Sequence, residues 1–181
     1  MGRIGAGMDE VVAAMRACWG PDPVEFEGRF YRIAPSEVNP KPVQEHLPVL
    51  LGATTPAGAQ RAGRIADGIN PIAFSAEVVP ALATTFREAA EEAGRDPAGL
   101  SVVVRANVPL TREPLGSDRP FLGGSPGQVA EDMARLESAG VDQVLIANMA
   151  PHDLEVEVGL MEELKAAARP EPVSDRRPAG T

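Results

Sequence analysis

The sequence predicts an α/β fold built on parallel strands. Three observations carry that reading. After residue 46, apolar runs rich in Val, Ile and Leu alternate four times with segments of helical periodicity. Several of the helical segments open on a capping signal and close on glycine. No nucleotide-binding Gly-x-Gly-x-x-Gly is present, which weakens a dinucleotide-binding Rossmann reading. Strand–helix–strand units pack parallel and right-handed, so four of them make either half of a (β/α)8 barrel or a small open α/β sheet.

Met8 to Trp19 reads as an amphipathic helix, with Met8, Val11, Val12, Met15, Cys18 and Trp19 at helical spacing and Asp9 and Glu10 in its first turn. Gly20 and Pro21 stop it. In Val24 to Ile33, two apolar stretches flank Glu27-Gly28, which fits a small β-hairpin or extended excursion. Residues 34–46, with Pro35, Pro40 and Pro42, have no periodicity and read as a loop.

Leu47 to Gly52 is an apolar run of the kind found in strands covered on both faces. Thr54 or Thr55 can cap the helix expected at 56–65, with Pro56 at its first position. Ala66 to Ile72 is a second short strand. Ser75 can cap a helix running to Ala93, closed by Gly94. Leu100 to Leu110 is a Val-rich third strand, and residues 111–124 form a loop long enough to cover a site. Ser125-Pro126-Gly127-Gln128 is a capping box for a helix that turns Val129, Met133 and Leu136 inward and ends at Gly140. Val141 to Ala147 is the fourth strand, and a last helix covers 153–168. Residues 169–181 hold no core-forming residues and are expected to be disordered.

The chain has 181 residues, which suits one domain or at most two. Apolar residues are 44% and aromatics 4%, so the core must be made of Ala, Val, Leu and Ile. The net charge of -9 argues against a nucleic-acid surface, which needs clustered Lys and Arg. The single cysteine, Cys18, excludes an internal disulfide and fits a reducing compartment. No stretch approaches the ~20 apolar residues of a membrane span, and the first residues lack the apolar region of a signal peptide. A cytoplasmic location is the expectation.

The chemistry-bearing residues are few. His46 and His152 lack a second ligand at zinc spacing, and His152 reads as a surface or capping residue beyond the fourth strand. Cys18 reads as core. Asp67 suits a backbone or cap hydrogen bond. Arg61 and Arg64 could lend charge to a phosphate, although helical arginines are usually solvated. Arg105 and Asn107 alternate with Val103 on the third strand, and if that face points into a barrel they need a partner or a ligand. The junction Gly52 to Gly58 combines a glycine turn, two threonines and a helix N-terminus, where an anion can sit. An ordinary capped helix after a core strand explains the same residues.

Residues 8–33, with Trp19 followed by Phe26-Glu27-Gly28-Arg29-Phe30-Tyr31, resemble the helix and β excursion of the bacterial luciferase-like monooxygenases, which include coenzyme F-420-dependent oxidoreductases. Pro40-Lys41-Pro42-Val43-Gln44 and Leu47-Pro48-Val49-Leu50-Leu51-Gly52 are similar to that family's following motifs. Gly52 to Gly58, with Ala62 and Ala66-Asp67-Gly68, is similar to its flavin-phosphate loop and next strand, and Ala89 to Pro97 and Ala139 to Val144 match as well. No single piece is specific; five in order over residues 8–168 are.

The resemblance implies a TIM (β/α)8 barrel with coenzyme F-420 or FMN at the C-terminal ends of the strands. It implies Gly52, Ala53, Thr54, Thr55 and Gly58 as cofactor-phosphate residues and names no catalytic residue. Family members run to roughly twice this length. The chain is therefore expected to be the C-terminal half of the barrel: four parallel strands alternating with helices, plus an N-terminal helix and small β excursion, as one domain over residues 1–168. A half barrel has open edges and a bare interior face, so a homo-oligomer or pairing with an N-terminal half-barrel is expected. The competing expectation is a non-catalytic remnant that binds a flavin phosphate or a partner chain. Gly52-Ala53 departs from the family's commoner Gly-Gly, and Gly63 from its usual Ala; both read as mild changes.

Overall fold

The computed structural model describes residues 2–168, so the tail expected to be disordered lies outside the described residues. Helix α1 spans Gly2–Trp19 and starts well before Met8. Asp9 and Glu10 therefore sit in the body of the helix, not in its first turn. Glu10 instead accepts the backbone N–H groups of Arg29 (3.0 Å), Phe30 (2.6 Å) and Tyr31 (2.5 Å). Those residues form the turn of the expected hairpin, in which β1 (Val24–Glu27) pairs antiparallel with β2 (Arg32–Ser36).

Four parallel strands follow: β3 (Leu50–Gly52), β4 (Gly68–Asn70), β5 (Ser101–Val108) and β6 (Gln143–Asn148). Helices α2 (Pro56–Ile65), α3 (Val78–Glu92) and α4 (Pro126–Ser138) connect them, and α5 (Leu154–Ala167) follows β6. The strand order is β3-β4-β5-β6, the order of the sequence. The expected alternation is correct, but β3 to β5 are shorter than their apolar runs. At β3 the reason is local. The Val49 N–H donates to the Asp67 carboxylate (2.8 Å) rather than to a neighbouring strand.

Sequential order with right-handed crossovers puts every helix on one face of the sheet. That face is the core. Ile69, Val102, Val104 and Ala106 are fully buried there, against Ala59, Ala62, Val79, Phe86, Val129 and Leu160 from the helices. The opposite face carries rows set by the strand register: Leu50, Gly68 and Ser101; then Gly52 and Asn70, with Val103 paired to Gln143; then Ile72, Arg105 and Leu145. No helix packs on it, and of its residues Val103 is 7% exposed while Arg105 and Asn107 are exposed. Leu50 is 39% exposed and Leu145 52%. The expectation that the 47–52 strand is covered on both faces fails for this reason, since apolar residues alternate onto a face with no helices.

With Phe86 as the one aromatic side chain of the core cluster, close approach of small residues does the packing. Helices α2 and α3 meet at Gly63. A Cβ there would press into the Phe86 carbonyl oxygen and lie 2.9 Å from Ala89 Cβ and 3.0 Å from Ala90 N. Gly63 is thus not a mild departure in this chain; it fixes how near the two helices stand. Gly94 (φ 73°) and Gly140 (φ 78°) end α3 and α4 in the left-handed conformation that favours glycine.

The lower end of the sheet is gathered by Asp67, between α2 and β4. Its Oδ2 accepts from Val49 N and from Arg16 Nη2 of α1 (2.9 Å), and its Oδ1 faces His46 Nε2 (3.1 Å) and Arg95 Nη2 (3.7 Å). Its backbone bridges Val49 O and Ser101 N. Burial works against the charge, but the Val49 N–H and the Arg16 guanidinium outweigh it and hold the Asp67 carboxyl below the usual carboxylate range.

Two outcomes follow from this packing. Gly63→Ala destabilises by about 1–3 kcal/mol despite the better helix propensity of Ala, read as a lower urea midpoint with unchanged slope; Gly58→Ala in the same helix, where a Cβ meets only Thr55 Oγ1 at 3.4 Å and Ala53 at 3.7 Å, does not destabilise and raises stability by up to about 1 kcal/mol. Asp67→Asn costs about 2–3 kcal/mol. Because the folded-state pKa is depressed, the carboxylate's contribution is full above the unfolded value of about 4 and is lost as pH falls below it. Acid titration followed by circular dichroism should show a shallower acid limb in the variant.

Candidate functional site

The junction from β3 to α2 lies at the C-terminal end of the strands, the end where α/β folds place ligands. Gly52 closes β3 on the uncovered face, and a Cβ there would meet nothing within 4 Å. Ala53 points the other way and is 2% exposed, packed in the core cluster. It can offer only its backbone. Thr54 and Thr55 are exposed. Thr55 is the N-cap of α2 (φ -138°, ψ 153°), and its Oγ1 accepts the Gly58 N–H at 3.2 Å. Pro56 takes the first helical position. The sequence left the cap open between Thr54 and Thr55; the structure gives it to Thr55.

That division sets what the junction can do. The Gly58 N–H is already held by Thr55. The Ala57 N–H, at the second position of α2, has no acceptor inside the helix. With the Thr54 hydroxyl, the open backbone at Gly52 and the positive end of the helix dipole, it forms a small donor set suited to one oxyanion. Arg61 does not join it, because its Nε pairs with Asp9 Oδ1 on α1 at 3.1 Å.

The loop 109–124 is tied down rather than free. Leu115 exchanges two hydrogen bonds with the Gln128 side chain (2.9 and 2.8 Å), and Gln128 Oε1 also accepts from Ser125 N (3.1 Å), as the capping box requires. Asp132 is 1% exposed. It accepts both terminal nitrogens of Arg119 and the Leu122 N–H, and so supports Leu122 at its positive φ of 64°. The Asp132 hydrogen bond raises the Arg119 pKa further, so this guanidinium stays charged. Asp132 was not legible as an anchor, since a polar residue inside a helix normally faces water.

At the end of β6, Asn148 Oδ1 accepts from Leu110 N (2.7 Å) and Ala150 N (2.9 Å), while its Nδ2 donates to Glu157 Oε2 (2.6 Å). His152 is exposed, and its Nε2 lies 2.9 Å from the Leu110 carbonyl oxygen, so it fastens the loop after β5 rather than capping a helix. Arg105 and Asn107 are exposed on the uncovered sheet face. His46 belongs to the Asp67 cluster at the opposite end of the sheet. Among the described residues no group of three or more His, Cys, Asp or Glu could hold a metal ion, and no helix is long and apolar enough to cross a membrane.

Comparison with known proteins places these features in a lineage. Residues 2–114 match the sequence model of the luciferase-like monooxygenases. The chain belongs to that family. This luciferase-like chain is 33% identical over 96 residues to an F-420-dependent glucose-6-phosphate dehydrogenase of Nakamurella multipartita, covering 50% of the chain and 27% of that relative. It is 30% identical over 115 residues to a protein of the same description from Rhodococcus jostii, covering 60% of the chain and 33% of the relative. In fold it is similar to the F-420-dependent tetrahydromethanopterin reductase of Methanopyrus kandleri, with a TM-score of 0.78 and 18% identity over 91% of the chain and 64% of that structure. The matched stretches thus span about a quarter to a third of the length of the two curated relatives.

Thr55→Ala removes the α2 cap and should cost about 1 kcal/mol of stability, whereas Thr54→Ala should be neutral, both read from thermal melts.

Proposed function

We propose that this chain forms the C-terminal half of a TIM barrel in a luciferase-like, flavin- or F-420-dependent oxidoreductase. The observation that carries the reading is the sheet itself. Four parallel strands in sequential order have helices on one face only, and their other face leaves Leu50, Arg105 and Leu145 exposed, although Val103 between them is buried. Such a sheet is the arc of a barrel rather than a finished open sheet, whose helices lie on both faces. The uncovered face is the barrel interior, and a second copy or a separate N-terminal half-barrel covers it.

The cofactor is coenzyme F-420 or FMN, held by its phosphate end at the junction of Gly52, Ala53, Thr54, Thr55 and Gly58, where Gly58 serves only by donating its N–H to the Thr55 cap. The donor set described above supports this: the Ala57 N–H, the Thr54 hydroxyl and the α2 dipole favour an oxyanion, and Gly52 leaves room for its approach. Ala53 contributes backbone only, and Thr55 contributes indirectly by fixing the start of α2. Bound there, the cofactor ring supplies hydride transfer or oxygen insertion on a small organic substrate. The relatives' cofactor dependence and the family membership support the same reading. The exposed face that would need covering also favours a second reading, a non-catalytic half barrel that binds cofactor phosphate or a partner chain without turnover.

The test is titration of the chain with FMN and with F-420, followed by cofactor fluorescence and then by turnover with a reductant. Saturable binding that weakens several-fold in Thr54→Ala supports the site. Binding without turnover favours the second reading, and no binding of either cofactor removes the proposal. A size measurement showing a stable monomer in which Leu145 stays solvent-exposed would remove the covered-interior part.

A further inference from the structure

We propose that Arg105 binds the anionic group, a carboxylate or phosphate, of a small-molecule ligand at the C-terminal mouth of the sheet. The inference rests on the half-barrel reading for its location, but its observations are separate from the Gly52–Gly58 junction.

The strand register puts Leu50, Asn70, Ser101, Asn107, Gln143 and Ala147, among others, on the uncovered face. Arg105 is the one ionisable side chain among the inward positions of the four strands, in a chain whose net charge is -9. It is exposed, and among the described residues its guanidinium has no hydrogen-bond or ion-pair partner. Its backbone, by contrast, is held from the segment just after β4: Arg105 N donates to Pro71 O and Arg105 O accepts from Ala73 N, each at 2.9 Å. The side chain is therefore launched from a fixed point, which is how a binding residue is placed on a rigid scaffold.

Its level in the sheet matters. Gly52 pairs with Asn70, and the Asn70 side chain donates to Val103 O, so Val103 marks the level of Gly52 on β5. Arg105 lies one inward step beyond, roughly 7 Å nearer the C-terminal mouth. Ile72 and Leu145 flank it on either side in the same row. A cation between two apolar neighbours pairs strongly with an anion once water is excluded.

Covering this face makes a partner obligatory. Arginine does not lose its proton, so a covered Arg105 needs an anion. A second copy does not supply one from its own strands, because the same inward positions carry no carboxylate and would bring a second Arg105 instead. A small-molecule ligand supplies one directly at the open mouth, and Arg favours carboxylate or phosphate through its paired N–H fork.

The experiment is side-chain NMR of the arginine Nε–H groups of the full chain during titration with inorganic phosphate and, separately, with acetate. Exposed Arg64 and Arg112 serve as internal references. The expected result is a saturable shift of the Arg105 signal that the references lack. Apparent affinity, read in the variants from the backbone amides of Ile72 and Leu145, should fall about tenfold in Arg105→Gln and be partly restored in Arg105→Lys, with the amide spectra before anion addition otherwise unchanged. A linear shift equal to that of Arg64 overturns the proposal. So does an Arg105 signal already paired before anion is added and released on dilution, which assigns the anion to a covering chain. If phosphate acts on Arg105 while FMN and F-420 bind nowhere, the cofactor reading fails and this one stands. If FMN binds equally to chain and Arg105→Gln while phosphate and acetate leave Arg105 unmoved, the reverse holds.

Discussion

Asp67 is the residue through which separate parts of the chain become one sheet. One carboxylate takes the Val49 N–H just before β3 and the Arg16 guanidinium from α1, and faces the His46 ring and the Arg95 guanidinium. Its own backbone continues the ladder from Val49 O to Ser101 N. Arg95 completes the clamp by donating to the carbonyls of Gly63 and Ala66 at 2.6 and 2.7 Å, which ties the end of α2 to the turn after α3. The Val49 N–H and the Arg16 guanidinium hold this carboxylate as the anion against the cost of burial, and its partners come from α1 and from the segments before β3 and after α3. Asp67, Arg16, His46 and Arg95 together line a cavity of about 460 Å3, and removing the carboxylate leaves the two guanidinium groups there without their anion.

The clamp sits at the N-terminal end of the strands, and the candidate site at the C-terminal end. The lower end is stitched by charge and backbone hydrogen bonds. The upper end carries exposed threonines, an open glycine, and loops fastened by Gln128, Asp132 and Asn148. Those fastenings keep the site's loops in place without filling the mouth. Stability and ligand chemistry can thus vary independently, a separation typical of folds whose ligands sit on βα loops.

The uncovered face decides how the rest is read. Helices on one side bury Ile69, Val102 and Val104 fully, while Leu50 and Leu145, one or two positions away along neighbouring strands, stay in contact with water. Side chains alternate along a strand, so a sheet with a single helical layer must leave half of its residues waiting for another layer. Arg105 stands on that waiting face, which is why its charge has consequences that Arg64, on an exposed helix surface, does not have.

Much of this was legible in the chain itself. Local chemistry determines the element order: Pro56 after threonine starts α2, Ser125 with Gln128 starts α4, and Gly94 and Gly140 end the helices before β5 and β6. Motif spacing also indicated the family and the junction at Gly52–Gly58. Tertiary structure decided what depends on neighbours distant in sequence. It gave Glu10 to the hairpin turn and Asp132 to the 109–124 loop, and it made Gly63 a point of helix contact instead of a neutral substitution. Burial of the apolar run at β3 was misread for the same reason. Alternation and propensity act within a few residues, whereas whether a face is covered, or a carboxylate finds its donors, is set by segments tens of residues away.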